Sequence, residues 1–480
     1  MRKIAFTYIS VALLALSSCS KDFMDKEPES YISDEQVGSS AVAGAGLLKG
    51  VYAGLRSYGI AGYGGHEDYG HKSMLSISDL LGNDVVMNSL SWNGFYYNYT
   101  GRVTTHSRSH LPWFTYYIQI KNVNSIINSV DVATASTEVK YNRAQALALR
   151  GYFHLMLARF YAPTYLGNES VHCIPINTGE VSKVRNTNQE VYAQIVADLE
   201  EAVTELSGFQ RTSKELVNQS VAQAFLAETY LEMGRYADAA DMANKARQGY
   251  QLLSEAEWKN GFYDINQKET MWGADLNSEL TTFVANFFSH FDNTNSGYSE
   301  GGNIAIDKRL YESIPNTDYR KTVFVSEKGG EFDGVEYPAY TSLKFRDLTP
   351  NRTEGDYIYL RSSLMYYIEA EGLARSGDEE KAKDVLFEIT SNRDSGYVRS
   401  TKTGVDLIDE IVLQKRIEMW GEGYAFFDLK RLNKGVERNY TDSNHGSFGK
   451  FNIPANDAKL LIQLPQREME STPTMAPNNP

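Results

Sequence analysis

Residues 221–246, VAQAFLAETYLEMGRYADAADMANKA, constrain the fold more than any other stretch of the chain. Ala227, Tyr230, Gly234, Tyr236, Ala239 and Ala246 stand at the spacing of a tetratricopeptide repeat, two antiparallel helices joined by a tight turn. Small residues at Ala227 and Ala239 let the helices approach closely. Gly234 supplies the left-handed conformation that ends the first helix. Tyr230 and Tyr236 are expected to fill the wedge between the pair. Ala370, Gly377 and Ala382 repeat the spacing of Ala227, Gly234 and Ala239. Such a hairpin cannot bury its apolar face alone, so neighbours must stack on it. The spacing predicts a scaffold and leaves function open.

The rest of the chain supplies the neighbours. Ser33 and Gln36 form a capping box that predicts a helix running through about Arg56. Gly44, Gly46, Gly50 and Gly54 lower its helicity, which predicts tight packing against another element. Residues 58–112 are rich in Gly and aromatics and weakly periodic, and read as a long irregular insertion. Helical patterns follow over 113–130 and 141–161. A third, opened by a capping box at Thr187 and Glu190, runs to Leu206. Residues 258–356 turn to Gly, Asn, Asp and aromatics, with strand-like runs such as 322–325, and read as loops and short strands within the same body. A last hairpin covers 357–391 and another helix 407–420, while 433–480 lack long periodicity. The predicted class is mainly α: about four tetratricopeptide-like hairpins and a loop-rich, short-strand remainder, in one globular body over residues 33–480.

The N-terminus sets the compartment. Arg2 and Lys3 precede an apolar run from Ile4 to Leu16 that is too short to span a bilayer. Leu16-Ser17-Ser18-Cys19 has the form of a bacterial lipobox, so residues 1–18 read as a lipoprotein signal peptide, Cys19 as the lipidation site and 19–32 as a polar tether. Several acyl chains on one Cys anchor firmly, and the mature protein is expected to be anchored to a membrane rather than to span it. Only Cys173 then remains as a thiol, so the fold stands on its core without a disulfide. A formal net charge of −14 argues against electrostatic binding of nucleic acid.

Several segments, in order along the chain, carry a family resemblance. They are Asp22-Phe23-Met24-Asp25-Lys26-Glu27-Pro28 after the lipobox, Gly50-Val51-Tyr52-Ala53-Gly54-Leu55-Arg56, Asp318-Tyr319-Arg320, the run 361–377, and KRIEMWGEGYAFFDLKR at 415–431, followed by Leu464-Pro465-Gln466-Arg467-Glu468. Together they resemble the SusD/RagB family of outer-membrane nutrient-binding lipoproteins over essentially the whole chain. Leu364, where members commonly carry an acid, and Ala425, where many carry Arg, depart from the pattern. The resemblance implies four tetratricopeptide-like hairpins and a TonB-dependent (SusC-like) outer-membrane transporter as partner. It also implies an outer-membrane, lipid-anchored protein facing the exterior of the cell, and binding of a nutrient, usually a glycan and in some members a peptide; the missing catalytic constellation predicts no catalysis and no cofactor. The repeat hairpin then reads as a rigid back wall, with the irregular insertions opposite doing the recognising.

The ligand candidates lie in those insertions. A pyranose presents a C–H face to a flat aromatic and a rim of hydroxyls to Asn, Asp or Arg. Trp92, Asn93, Tyr96 and Asn98 in WNGFYYNY, with Asp84 and Arg102 nearby, supply those groups. The alternative is that these aromatics pack the insertion's own core. A second candidate stretch is 283–303, containing Tyr298, and Trp272 is a weaker third. Glu418 and Glu422, four apart on one predicted helix face, have the look of a glycosidase pair. Arg416, Asp428, Lys430 and Arg431 beside them instead predict a structural charge network. Gly297-Tyr298-Ser299-Glu300-Gly301 matches a hydrolase pattern without the strand and helix it requires. His106 and His110 are followed by Leu111-Pro112, which speaks against an established helix and a zinc pair there. His66 and His71 lie five apart in a Gly-rich loop. Neither pair predicts a metal site.

Overall fold

The computed structural model describes residues 34–62, 64–180 and 182–480. The signal peptide, Cys19, the tether and Ser33 lie outside the described residues. The helices that build the body are α1 (Asp34–Ser39), α2 (Ala41–Arg56), α3 (His71–Leu81), α4 (Ser107–Ser129), α5 (Thr137–Tyr161), α6 (Asn188–Glu205), α7 (Gln219–Glu232), α8 (Tyr236–Arg247), α9 (Ser362–Ser376), α10 (Glu379–Arg393), α11 (Gly404–Glu418) and α12 (Ala425–Arg431). The helix expected to run from Ser33 to Arg56 is broken at Ser40. That residue leaves helical geometry and its hydroxyl accepts from Ala43 N at 3.3 Å, starting α2 afresh. Of the four α2 glycines, Gly44 and Gly54 meet Asn142 and Gln119 closely, as expected. Gly46 and Gly50 face open space.

Helices α4 to α10 stack in sequence order and α11 returns to pack on α9, an array equivalent to four hairpins. Thr187 and Glu190 form the expected capping box at the start of α6. Gly234, at φ +73°, turns the chain between α7 and α8, and Ala227 and Ala239 are fully buried. The tyrosines depart from expectation. The Tyr230 hydroxyl reaches α6 to donate to Glu200 at 2.5 Å, and Tyr236 lies under the Arg375 guanidinium of α9. They tie the hairpin to its neighbours on either side. Between α8 and α9 the chain leaves for more than a hundred residues, yet the two helices pack directly. At Gly372 a Cβ would lie 2.6 Å from Tyr236 O and 3.0 Å from the Ala240 Cβ, so only glycine permits this approach.

Pro112 did not prevent a helix: α4 starts at Ser107, with His106 as its cap. Two tyrosines explain why. Pro112 has no N–H for the Arg108 carbonyl, and the Tyr96 hydroxyl donates to that carbonyl at 3.1 Å instead. One residue on, the Tyr161 hydroxyl is spliced into the ladder. It accepts from Trp113 N at 3.0 Å and donates to Ser109 O at 2.6 Å. Tyr161→Phe removes the hydroxyl that bridges these two buried backbone groups, and urea unfolding is expected to show a loss of about 1–3 kcal/mol.

The irregular segments are sewn to each other and to the array by short antiparallel strands. β1 (Val85–Met87) from the first insertion pairs with β3 (Ile304–Ile306) from the second. β2 (Thr270–Ala274) pairs with β6 (Tyr357–Arg361), which runs straight into α9. β4 (Gly330–Phe332) with β5 (Val335–Tyr337), and β7 (Val436–Glu437) with β8 (Asn452–Ile453), make two further ribbons. The strand expected at 322–325 is instead the end of a 3-10 turn, Tyr319–Val323, with one bridge at Phe324.

A buried ion network welds array to insertion. Glu418, at the end of α11, takes Arg361 and Arg393 at 3.1 Å, Arg320 at 3.3 Å and the Trp258 indole N–H at 3.0 Å. Glu269 takes Arg361 at 2.6 Å and Arg393 at 2.5 Å, Glu422 takes Arg361 at 2.6 Å and Lys344 at 2.7 Å, and Asp318 takes Arg320 at 2.7 Å. Four cations thus face four carboxylates in the interior. Burial opposes the Glu418 charge, but Arg393, Arg361 and Arg320 hold its carboxyl well below the usual range. Glu418 and Glu422 are therefore structural, as expected, although α11 ends at Glu418 and the two do not share a helix face. The neighbours named from the sequence pair elsewhere. Arg416 takes Asp84, Asp428 takes Lys415 and Arg431, Arg431 also takes Glu371, and Lys430 donates to Arg159 O and Ala162 O.

Candidate functional site

The β1–β3 pairing brings the two candidate stretches of the sequence together. Beyond β1, Asn88 N donates to Asn303 O at 2.8 Å, and Ser89 N to the Asn303 side chain at 2.6 Å. The Asn303 amide in turn donates to Tyr298 O at 3.0 Å. Tyr298 is thereby set against Trp92, whose indole N–H donates to the Tyr298 hydroxyl at 2.9 Å. His66 completes the cluster. Its ring stacks on Trp92 at 4.8 Å between centroids and 29° between planes, and its Nδ1 lies 2.5 Å from the Tyr298 hydroxyl. All three rings are half-buried, with Tyr58 edge-on to His66 and exposed.

Buried groups hold the cluster from behind. His290 stacks on the Tyr298 ring at 4.8 Å, and its Nε2 lies 3.0 Å from His66 O. Burial pushes its pKa down to about 4, so it is neutral at pH 7 and Nε2 is the donor. Arg108, nearly buried, pairs with the buried Glu67 and lies 4.2 Å over Phe95 and 5.6 Å from the Trp92 ring. Asp68 holds the loop that carries Tyr58 and His66, accepting from Ala61 N at 3.2 Å and, through its carbonyl, from Gly59 N at 2.9 Å. Burial raises the Asp68 pKa to about 7.

The other predicted ligand residues do internal work. The helical turn Gly94–Tyr97 points Tyr96 inward, 2% exposed, and Phe95 outward, 40% exposed. Asn93 is buried. Asn98 accepts from the Thr100 N–H and hydroxyl, closing its own turn. Asp84 is bound by Arg416. Arg102 donates to Leu461 O and Pro480 O and so fastens the C-terminal tail. Trp272 is a core residue between Tyr152, Phe225 and Tyr359. Tyr96, Asn93 and Trp272 are thus buried, in line with the packing alternative, whereas Asp84 with Arg416 lines a cavity. His66 and Arg108 lie outside the ligand candidates of the sequence, and His290 lies within the candidate stretch 283–303. His66 and Tyr298 are 232 residues apart, and no local pattern links them.

The half-exposed rings of the cluster form a shelf. Cavities of about 570, 610 and 930 Å³ lie elsewhere, the first beside Trp113, Tyr117, Asn128 and Met475, the second beside Leu166 and Arg431, the third beside Arg416 and Tyr440. Among the described residues no group of three or more His, Cys, Asp or Glu side chains is placed to hold a metal ion. The Cys173 thiol is buried and pushed up to about 12 by that burial. Ser299, of the hydrolase-like pattern, is buried and donates to Asp292 O. No helix among the described residues is long and apolar enough to cross a membrane.

Fold and sequence together define a helical-repeat protein with an irregular, aromatic-bearing face. Residues 22–231 match a family described as SusD-like, starch-binding associating with outer membrane, and residues 335–480 match the SusD family. The chain belongs to the SusD/RagB family. It is 25% identical over 384 residues to a SusD-like protein, P2, of Formosa agariphila, covering 71% of this chain and 74% of that one. Among solved structures, a SusD-like carbohydrate binding protein from Bacteroides vulgatus superposes with a TM-score of 0.78 at 23% identity, over 91% of this chain and 97% of that one. Surface glycan-binding protein A from Bacteroides thetaiotaomicron gives 0.68 at 17%, over 92% and 99%. At these identities the solved structures speak to the fold alone.

Proposed function

We propose that this protein is a surface lipoprotein of the outer membrane that binds an oligosaccharide on the Trp92–His66–Tyr298 shelf and delivers it to a TonB-dependent (SusC-like) transporter, without cleaving it. The observation that carries the reading is the shelf: three half-exposed rings from two distant loops, locked by mutual hydrogen bonds before any ligand arrives. Flat rings held rigidly match the C–H face of a pyranose and lose little freedom on binding. Membership of the SusD/RagB family, whose matching model is described as starch-binding, supports the ligand class. The lipobox at 16–19 supports the anchor. Glu418 and Glu422, which have the spacing of a glycosidase pair, are buried and sealed in ion pairs.

The test is affinity electrophoresis of the mature body, residues 20–480, in gels containing soluble starch, xylan, laminarin or mannan. Retardation by at least one polysaccharide, with no release of reducing sugar, is expected. Binding of peptides with no retardation by any glycan, or release of sugar, overturns the reading. The full lipoprotein, extracted from outer membranes in detergent, is expected to co-purify with a large β-barrel protein.

A further inference from the structure

We propose that His66 is a ligand-reading residue of the shelf, held by Trp92 and Tyr298 as the Nε2–H tautomer so that it offers a single N–H donor to an oxygen on the rim of the bound sugar. This rests on the glycan reading above. The argument is a matter of which atoms can donate. An indole N–H only donates, and the Trp92 N–H is aimed at the Tyr298 oxygen at 2.9 Å. The same oxygen lies 2.5 Å from His66 Nδ1. A phenol hydroxyl is a strong donor and a weak double acceptor, whereas an unprotonated imidazole nitrogen is a strong acceptor. The hydroxyl hydrogen therefore goes to Nδ1, and the relay runs Trp92 to Tyr298 to His66. The neutral ring must then carry its own hydrogen on Nε2.

That atom has no hydrogen-bond partner among the described residues, and the ring that bears it is half-exposed. The backbone on either side is pinned, by His290 on His66 O and by Asp68 N on Gly65 O at 3.0 Å. The donor is thus fixed in position before binding, beside the rings that would take the sugar's apolar face. Trp92 and Tyr298 act on the ligand twice: as ring surface, and by setting the tautomer of their neighbour.

Two measurements test this. The first needs no ligand. In mature protein carrying ¹⁵N-labelled histidine, the His66 signals, assigned by their loss in His66→Asn, are expected to report hydrogen on Nε2. Tyr298→Phe, which removes the phenol, is expected to give a mixture of tautomers. A wild-type His66 with hydrogen on Nδ1 overturns the proposal. The second is retardation in the same four polysaccharide gels. His66→Phe keeps a flat ring without nitrogens, His66→Asn can place an amide oxygen near Nδ1 but does not reach the Nε2 position, and His66→Gln reaches the Nε2 position with an N–H. The first two are expected to weaken binding about tenfold and the third to retain most of it. His66→Phe binding as the wild type does overturns the donor's role. A wild type retarded by none of the four overturns the glycan reading and the donor's role with it, while the tautomer is still decided by the first measurement.

Discussion

Glu418→Ala is expected to destabilise the protein by about 3–5 kcal/mol, a large part of the roughly 5–15 kcal/mol that holds a typical domain folded. The reason is the charge it leaves behind. Arg320, Arg361 and Arg393 all lean on this carboxylate and all are fully buried. Without it, three guanidinium groups compete for Glu269, Glu422 and Asp318. The loss falls where α10, α11 and β6 meet the segment carrying Asp318 and Lys344, so array and insertion are expected to come apart together. The measurement is the midpoint of urea unfolding. Asp384→Ala, which removes one of the two exposed partners of Arg399, is the control and leaves the midpoint in place. Acid sharpens the test. The native carboxyl of Glu418 is held below its ordinary 4.5, so its contribution is complete above that pH and is lost as pH falls below it. Glu418→Gln is expected to flatten that acid limb by up to about 1.4 kcal/mol per pH unit. A wild-type acid limb unchanged in Glu418→Gln contradicts the assignment.

Trp92→Ala is expected to reduce polysaccharide affinity by about 10- to 100-fold, the equivalent of some 1.5–3 kcal/mol of apolar contact. The side chain is half-buried on the surface, so the thermal midpoint is expected to hardly move while binding collapses. Trp92→Phe separates its two roles. The phenyl keeps ring surface but cannot donate to Tyr298, so binding is expected to fall between those of wild type and Trp92→Ala. Tyr96→Ala gives the contrasting pattern. Its hydroxyl repairs the ladder at Pro112, so the substitution costs stability rather than a ligand contact.

These two regions also mark what the sequence does and does not disclose. The array was readable because its cause is local. A 3.6-residue period, small residues at Ala227 and Ala239 and a turn glycine at Gly234 act within one hairpin, and Thr187 with Glu190 within one turn. Glu418 and Glu422 could be read as structural from the basic residues around them, but the actual partners, Arg320, Arg361, Arg393 and Lys344, come from up to 98 residues away. The aromatic content of 92–99 and of 283–303 was equally visible. Which ring faces out was not: a single turn of helix decides between Phe95 and Tyr96, and irregular segments have no period from which to read a face. His66 enters the cluster only through the fold, because its neighbours are set by the β1–β3 pairing. Pro112 misled for a related reason. The rule that proline ends a helix assumes an unsatisfied carbonyl, and here Tyr96, outside the helix and with no periodic relation to it, satisfies that carbonyl.

The central claim is that glycan is bound on the Trp92 shelf, and tryptophan fluorescence tests it most directly. The chain has five tryptophans. Trp113, Trp258, Trp272 and Trp420 are at most 2% exposed, which leaves Trp92 as the one acrylamide can reach. Titration with the polysaccharide that retards the mature protein most strongly is expected to protect the fluorescence from acrylamide quenching, and the protection is expected to vanish in Trp92→Phe. Saturable glycan binding that leaves the quenching of the wild type unchanged would place the sugar elsewhere and contradict the account.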